Sequence, residues 1–443
     1  MILQVRQGPS PNCSSHGSVV GMALLSAAGA AVVLNVWADR FLAWTQGNPP
    51  PGSPPGTPPE DPVYREEEGG QVLLAFPDGQ LLLDGHHADL ARKARRIGLE
   101  RQVPGALSAP VEAHLALTHR CPVACKSCYL EAGPAGPASK DLGPTLRDLA
   151  AQGVLQVAFG GGEVLLDARL PELLSQARAL GMVPNFTTSG FGLNAELAAR
   201  IAPHVGQVNV SLDGLAGTYG ASRGWEGAKL GLKSIDTLVQ AGVPVGVNTV
   251  LTRALWDNDA ALLALQERLV QAGVHEWQWL RFKPAGRATE TYAEQAPQDL
   301  ERQIWTRLLR AEAAGLRMRI DCALVPFLPE LPVDRLQRLG VQGCPGGHSL
   351  MTRSATGEWA PCSFVPGSPQ ADWARDATMV AWRERAANPP EPCGSCPRKA
   401  VCRGGCRAVS AFLTGDALAP DPECPRVRAH AAAPPDARSG ATP

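Results

Sequence analysis

The sequence predicts an α/β fold: a parallel sheet with helices outside it, an N-terminal extension before it and a cysteine-rich region after it. Two observations carry this prediction. From residue 111, apolar β-rich runs recur six times, at Val111–Thr118, Val154–Phe159, Val183–Thr188, Gln207–Leu212, Val245–Val250 and Glu276–Phe282. Helical patterns fill the intervals and several close on glycine, at Gly153, Gly181, Gly242 and Gly273, as helix C-caps do. Repeated βα units imply a parallel sheet, which right-handed crossovers curl toward a barrel or leave open. The second observation is the cysteine pattern. Three of the twelve cysteines form Cys121-x3-Cys125-x2-Cys128, and seven more form Cys344-x17-Cys362 and Cys393-x2-Cys396-x5-Cys402-x3-Cys406-x17-Cys424. Such short spacings in a chain of this size read as metal ligands in a reducing compartment, not as a disulfide scaffold.

The composition suits an enzyme of roughly two to three domains. With 44% hydrophobic residues the chain can bury a large core, and its net charge of -1 gives no sign of a nucleic-acid or anionic-membrane partner. A cytoplasmic location is expected. Residues 1–62 hold an apolar stretch, Ser18 to Ala38, and a Pro/Gly-rich linker, Asn48 to Pro62. The apolar stretch is long enough to cross a bilayer but is read as a buried helix or strand, because export would take metal-binding thiols out of a reducing compartment. The linker cannot sustain a helix or a central strand. Residues 63–110 are read as a small α+β extension, with strands at Gln71–Phe76 and Gln80–Leu83 around a Pro77-Asp78-Gly79 turn and a helix at His87–Ile97. Its sheet edge offers a place for a peptide, against the plainer reading of an extension packed on the main domain.

In parallel α/β folds the working residues gather at the carboxyl ends of the strands. There the first strand runs into AHLALTHRCPVACKSCYLEAG, and the second into Phe159-Gly160-Gly161-Gly162-Glu163. The glycines let the backbone approach a neighbour closely, and Glu163 offers an acceptor for an ammonium group. Together these features resemble the radical S-adenosylmethionine enzymes, whose C-x3-C-x2-C loop is matched by Cys121, Cys125 and Cys128. The resemblance implies a partial (β/α)6 TIM-like barrel over residues 111–321 and a 4Fe-4S cluster on the three thiolates with one iron open to S-adenosylmethionine. It also implies that Gly161, Gly162 and Glu163 bind the amino group of that cofactor. The family usually places an aromatic residue before the last cysteine; Ser127 stands there, with Tyr129 just after the cysteine. The cofactor's ribose and carboxylate are expected among Thr187, Thr188 and Ser189 at the third strand end and Asn209, Ser211 and Asp213 at the fourth, with Ser189, Asn209 and Ser211 preferred. Arg223 is a further cofactor contact by the same reading. Asn248, Thr249, Arg281, Lys283 and Arg287 are weaker candidates at the fifth and sixth, and a guanidinium among them suits a carboxylate.

The C-terminal pattern, with Gly357 completing C-x12-G-x4-C, resembles the seven-cysteine signature of the SPASM extension. The likeness implies an auxiliary-cluster domain over residues 322–430, with a disordered tail at 431–443. It further implies an outer 4Fe-4S cluster on Cys393, Cys396, Cys402 and Cys424 and an inner one on Cys344, Cys362 and Cys406. Two clusters take eight ligands, so one inner corner is unassigned, open to the substrate or to Cys322. A zinc ribbon is the competing reading of the C-x2-C pairs.

Enzymes with this combination mostly modify peptides or proteins, so a peptide or protein substrate and a reductant such as ferredoxin or flavodoxin are expected. Sulfatase-maturating enzymes carry an aspartate base directly after the cysteine of the G-x4-C element, and this chain has Ser363 there. Crosslinking or a related oxidation of a ribosomally made peptide is therefore preferred over sulfatase maturation or cofactor biosynthesis. Asp321 and Asp213 remain as other candidate bases. A protein that only relays electrons has no use for the GGE loop.

Overall fold

The computed structural model describes residues 109–434, with short breaks at 155, 332–334, 337–338, 340–342 and 370–371, and three strands before them. Those strands, β1 (Val63–Glu66), β2 (Val72–Phe76) and β3 (Gly79–Leu83), form an antiparallel sheet in the order β1-β2-β3. The strand–turn–strand signature is β2 and β3, paired from Val72↔Leu83 to Phe76↔Gly79, and β1 is an addition to it. The apolar stretch at 18–38, the linker at 48–62 and the helix at 87–97 lie outside the described residues.

The main sheet has nine strands in the order β10-β9-β8-β7-β6-β5-β4-β11-β12. The six expected strands are β4 (Glu112–Thr118), β5 (Gln156–Gly161), β6 (Val183–Thr188), β7 (Val208–Ser211), β8 (Val245–Leu251) and β9 (Glu276–Arg281), all parallel. A seventh, β10 (Met318–Ile320), runs parallel to β9. On the opposite edge β11 (Leu350–Arg353) pairs parallel to β4, and β12 (Trp359–Ala360) closes a hairpin on it. A boundary at residue 321 therefore does not separate two sheets, since the C-terminal region contributes two strands to the barrel sheet.

Helices α1 (Gly143–Gln152), α2 (Leu170–Ala179), α3 (Ala195–Ile201), α4 (Thr218–Arg223), α5 (Ala228–Gln240), α6 (Arg253–Trp256) and α7 (Asp259–Ala272) alternate with β4–β9. After β9 come α8 (Ala288–Gln295) and α9 (Leu300–Ala313), and the C-terminal region carries α10 (Ala377–Ala387), α11 (Lys399–Cys402), α12 (Arg407–Thr414) and α13 (Pro425–Ala432). The last of these continues to Ala432, so the first residues assigned to a disordered tail are helical; 435–443 lie outside the described residues. Helix α5 buries Ala228, Gly231, Ile235 and Leu238, a helical stripe against the sheet. In α7 Asn258 caps the start by accepting from the Ala261 amide at 3.0 Å, and Gly273, at φ 67°, ends it.

Strand alternation sorts the sheet into two unlike faces. Outward residues such as Leu115, Val157, Phe159, Phe186, Val208, Val210 and Val247 are almost fully buried under the helices. Each such side chain stabilises the fold by roughly 1.5–3 kcal/mol. Inward positions, among them Gln156, Asn185, Gln207, Asn209 and Asn248, line a cavity of about 1830 Å³. A closed barrel fills this space with stacked apolar side chains; here the lumen is open, with polar side chains set among apolar ones.

Candidate functional site

The cysteine loop is held by its own stems and by two neighbours. Leaving β4, the His119 amide donates to Pro137 O at 2.6 Å, the Cys121 amide to Gly133 O at 2.9 Å and the Gly133 amide to His119 O at 3.1 Å. Arg287, after β9, spans the excursion: its Nε donates to Cys125 O and its Nη2 to Ala132 O, both at 2.8 Å. The Lys126 amide donates to Arg223 O at 3.1 Å, tying the loop to the end of α4. Cys121, Cys125 and Cys128 all face the cavity and are free thiols. Burial pushes the Cys121 thiol up and the charges of Cys125 and Cys128 add to that, while a Val123 backbone donor opposes it. Ala132 N donates to Cys128 Sγ at 3.4 Å and Trp225 Nε1 to Cys125 Sγ at 3.3 Å.

Three thiols on one cavity wall, two of them accepting an N–H hydrogen bond, fit a thiolate set around an iron–sulfur cube. Among the described residues no three His, Cys, Asp or Glu side chains converge on a point that would hold one metal ion. A cube takes its thiolates on separate irons, which spreads them further apart.

The GGE loop is welded to this excursion. The Gly162 amide donates to Thr118 O at 2.5 Å and the Glu163 amide to Arg120 O at 2.8 Å. A Cβ on Gly161, whose φ is 125°, would stand 2.1 Å from Thr118 O, and one on Gly162 would stand 2.1 Å from Arg120 O. The glycines thus admit the cysteine-loop backbone as well as a ligand, and Gly160, Gly161 and Gly162 face the cavity. Glu163 does not. It is 0% exposed, and its Oε1 accepts from Thr188 Oγ1 at 2.6 Å and the Leu165 amide at 3.2 Å. Its Oε2 accepts from the Ser189 amide at 2.9 Å and Ser189 Oγ at 2.5 Å. Burial raises its pKa, and the Ser189 and Thr188 hydrogen bonds partly counter that.

Thr187, Thr188, Ser189, Asn209, Ser211, Asp213, Arg223 and Asn248 share the same cavity wall; Thr249 does not, being fully buried and bonded to Leu212 O and Trp277 Nε1. The Asn209 Oδ1 accepts from Gln207 Nε2 at 2.8 Å, and Asp213 pairs with Arg223 Nε at 2.7 Å while accepting the Val250 amide. The candidate cations at the sixth strand are all engaged within the protein. Arg281 is buried in a fork with Asp421, at 2.5 and 3.2 Å, and Glu423, at 2.6 Å; Lys283 pairs with Asp321; Arg287 holds the carbonyls described above. Their roles as free carboxylate binders are replaced by structural ones. Asp421, which sequence reasoning missed, also accepts the Cys406 amide at 2.9 Å and so joins β9 to the C-terminal thiols. Its signal was a carboxylate three residues before Cys424.

The C-terminal cysteines fall into two places. Cys393, Cys396, Cys402 and Cys424 line one small pocket with Arg398, Lys399 and Arg426. Cys344, Cys362 and Cys406 face the large cavity, and Cys322, at the start of a 3-10 turn after β10, faces it with them. Cys322 donates toward Cys344, which together with Arg407 and Arg403 lowers the Cys344 pKa to about 6 against the opposing effect of burial. Burial pushes Cys362 up to about 12 and Cys406 to about 11. Tyr129 spans the space between the groups, its ring tilted against Phe364 at 4.6 Å, and Lys283 Nζ lies 4.8 Å from the Phe364 ring. Ser363 and Asp321 line the cavity too. Trp225 was the other residue missed. Its only sequence signal is an aromatic residue between Gly224 and Gly227, directly after α4.

The model of the radical SAM superfamily matches residues 115–263. A PqqA peptide cyclase of Streptomyces rochei is 30% identical over 345 residues, 72% of this chain and 90% of that protein. One of Ruegeria pomeroyi is 29% identical over 344 residues, 73% and 89% of the two chains. Among solved structures, Streptococcus suis SuiB bound to S-adenosylmethionine superposes with a TM-score of 0.59 at 17% identity, over 78% of this chain and 84% of that one. anSMEcpe with bound AdoMet gives 0.55 at 14% identity, over 72% and 95%. These two share the fold. A cysteine loop and a GGE loop welded at the carboxyl ends of a parallel sheet, with a relative this similar over nearly its whole length, lead to one conclusion: the chain belongs to the radical SAM superfamily.

Proposed function

We propose that this enzyme oxidatively modifies a ribosomally made peptide, forming a thioether or carbon–carbon crosslink. The observation that carries it is the single cavity that runs from the Cys121, Cys125 and Cys128 loop to Cys322, Cys344, Cys362 and Cys406, a space large enough for a peptide loop. The likeness to PqqA peptide cyclases supports a peptide as the substrate class. Ser363 at the position of the maturase base weighs against formylglycine formation.

When bound, the 4Fe-4S cluster and S-adenosylmethionine supply a 5'-deoxyadenosyl radical that abstracts one hydrogen from an unactivated C–H bond. In this reading Cys121, Cys125 and Cys128 hold the cluster, and the Gly161 and Gly162 backbone receives the cofactor's amino group. Ser189, Asn209, Ser211 and Arg223 line its remaining polar atoms. Glu163 orients Ser189 instead of meeting the cofactor directly. Residues 322–430 form an auxiliary domain in which Cys393, Cys396, Cys402 and Cys424 take an outer cluster. Cys344, Cys362 and Cys406 take an inner one, with Cys322 as its fourth ligand, supported by the shared cavity wall and the Cys322–Cys344 contact. A cluster held there would supply an acceptor for the electron the substrate loses on crosslinking, and a ferredoxin or flavodoxin is the expected reductant. Among the described residues the outer edge of β3 pairs with no further strand, which suits a leader segment added there.

The test is anaerobic turnover with dithionite, S-adenosylmethionine and a candidate precursor peptide encoded beside this gene. The expected result is 5'-deoxyadenosine and a peptide lighter by two hydrogens. A fully iron-loaded protein that leaves S-adenosylmethionine intact refutes the reading.

A further inference from the structure

We infer that Trp225 is a positioning residue for the reactive cluster: its indole N–H bonds the Cys125 sulfur and raises the reduction potential of the cluster which that sulfur holds. The inference rests on Cys125 being a ligand, as proposed above. Two of the three loop sulfurs accept an N–H hydrogen bond, Cys125 from Trp225 at 3.3 Å and Cys128 from Ala132 at 3.4 Å. The Ala132 donor is main chain and follows from the loop's path. The donor to Cys125 is a side chain.

The indole is built into place. Phe191 packs against it at 5.4 Å, and the fully buried Tyr219 meets it edge-on at 5.5 Å. A Cβ on Gly227 would stand 2.3 Å from the Trp225 ring, although Gly227, at φ -114°, has a backbone conformation open to any residue. The missing side chain at 227 therefore makes room for the ring. The Lys126 to Arg223 backbone bond pins the segment beside Cys125 from the other side.

A hydrogen bond to a cluster sulfur stabilises the extra negative charge of the reduced state, so the potential rises. In a cavity wall partly shielded from water the effect is stronger than in bulk solvent. The family's usual aromatic residue before the last cysteine is Ser127 here, and Trp225 brings an aromatic ring to the cluster from a different element.

The experiment uses the full chain, anaerobically loaded, with Trp225→Phe beside the unaltered protein. The cluster is recognised as the one whose EPR signal changes on adding S-adenosylmethionine. With iron content unchanged, its midpoint potential is expected to fall. A bond worth tenfold in the reduction equilibrium shifts it by about 59 mV. Unaltered protein grown with 15N-indole tryptophan is expected to show a nitrogen coupling on the reduced cluster, a measurement that needs no variant. An unchanged potential in a fully loaded variant, or no indole coupling in the unaltered protein, overturns the inference. If instead Cys125→Ala keeps the full iron content, the ligand assignment itself fails, which is a separate outcome.

Discussion

The barrel loop and the outer C-terminal group both gather thiols, but into different surroundings. Cys121, Cys125 and Cys128 are three, and their free side looks into a large cavity ringed by Ser189, Asn209, Ser211 and Arg223. Cys393, Cys396, Cys402 and Cys424 are four, half-buried with Arg398, Lys399 and Arg426 around a small pocket apart from that cavity. In the proposed reading three ligands beside open space leave a coordination site where chemistry can occur. Four ligands in the outer group would leave none, and the neighbouring cations would suit a group that only holds and passes charge. The inner group is intermediate, with four thiols in reach but a wall on the cavity.

The largest expected effect breaks the first half of this comparison. Cys125→Ala abolishes 5'-deoxyadenosine formation and lowers the iron content from about twelve per chain to about eight, measured by colorimetric iron and by chromatography of the cleaved cofactor. Cys402→Ala tests the other half. It is expected to keep cofactor cleavage within about tenfold of the unaltered rate while peptide modification is lost. Equal loss of both activities would mean that the outer group is not a separate relay.

The link between the two regions comes next. Arg281 and Asp421 are buried, with side chains 2% and 1% exposed, and the pair ties β9 to the amide of Cys406. Removing one partner of such a pair leaves a buried charge uncompensated. Arg281→Gln is therefore expected to lower stability by about 3–5 kcal/mol, read as a fall in Tm. A smaller, spectroscopic change is expected from Cys322→Ala. If Cys322 closes the inner group, that substitution alters the EPR of one auxiliary cluster and leaves the barrel cluster's signal untouched.

Strand periodicity made the barrel legible because most outward residues are apolar and four of the five connections from β4 to β9 end on a glycine that the backbone needs: Gly153, Gly181, Gly242 and Gly273 all have positive φ. Cysteine spacing made the thiol groups legible where they are local: Cys121, Cys125 and Cys128 share one loop, and Cys393, Cys396 and Cys402 lie within ten residues. What escaped were elements defined by distant pairing. The β11–β4 ladder joins residues more than two hundred positions apart, and a two-residue strand such as β12 carries no period. Trp225 and Asp421 escaped for the same reason, since each acquires its role from a partner on another loop. The cations after β9 misled for a related one: sequence shows a guanidinium, and only the fold shows the carboxylates already holding it.

Glu163 gives the smallest effect and the finest distinction, between a residue that meets the cofactor and one that shapes the wall. Its carboxylate is fully buried and accepts four hydrogen bonds, from Thr188, Leu165 and twice from Ser189. Glu163→Gln puts an amide nitrogen against one set of these donors, so a loss of about 1–3 kcal/mol is expected. Burial raises the folded-state pKa of Glu163 above its ordinary value. The stability it contributes is therefore fully present below that ordinary value and is lost as pH rises through the raised one. Glutamine does not titrate, so the Tm gap between the two proteins should narrow as pH rises from the acidic side toward neutrality. A carboxylate that meets the cofactor's ammonium directly predicts the opposite pattern when S-adenosylmethionine is present: a gap that widens toward neutrality, because only the ionised form holds the ligand. Thermal scans of the cluster-loaded pair across that range, with and without S-adenosylmethionine, separate the strut from the ligand.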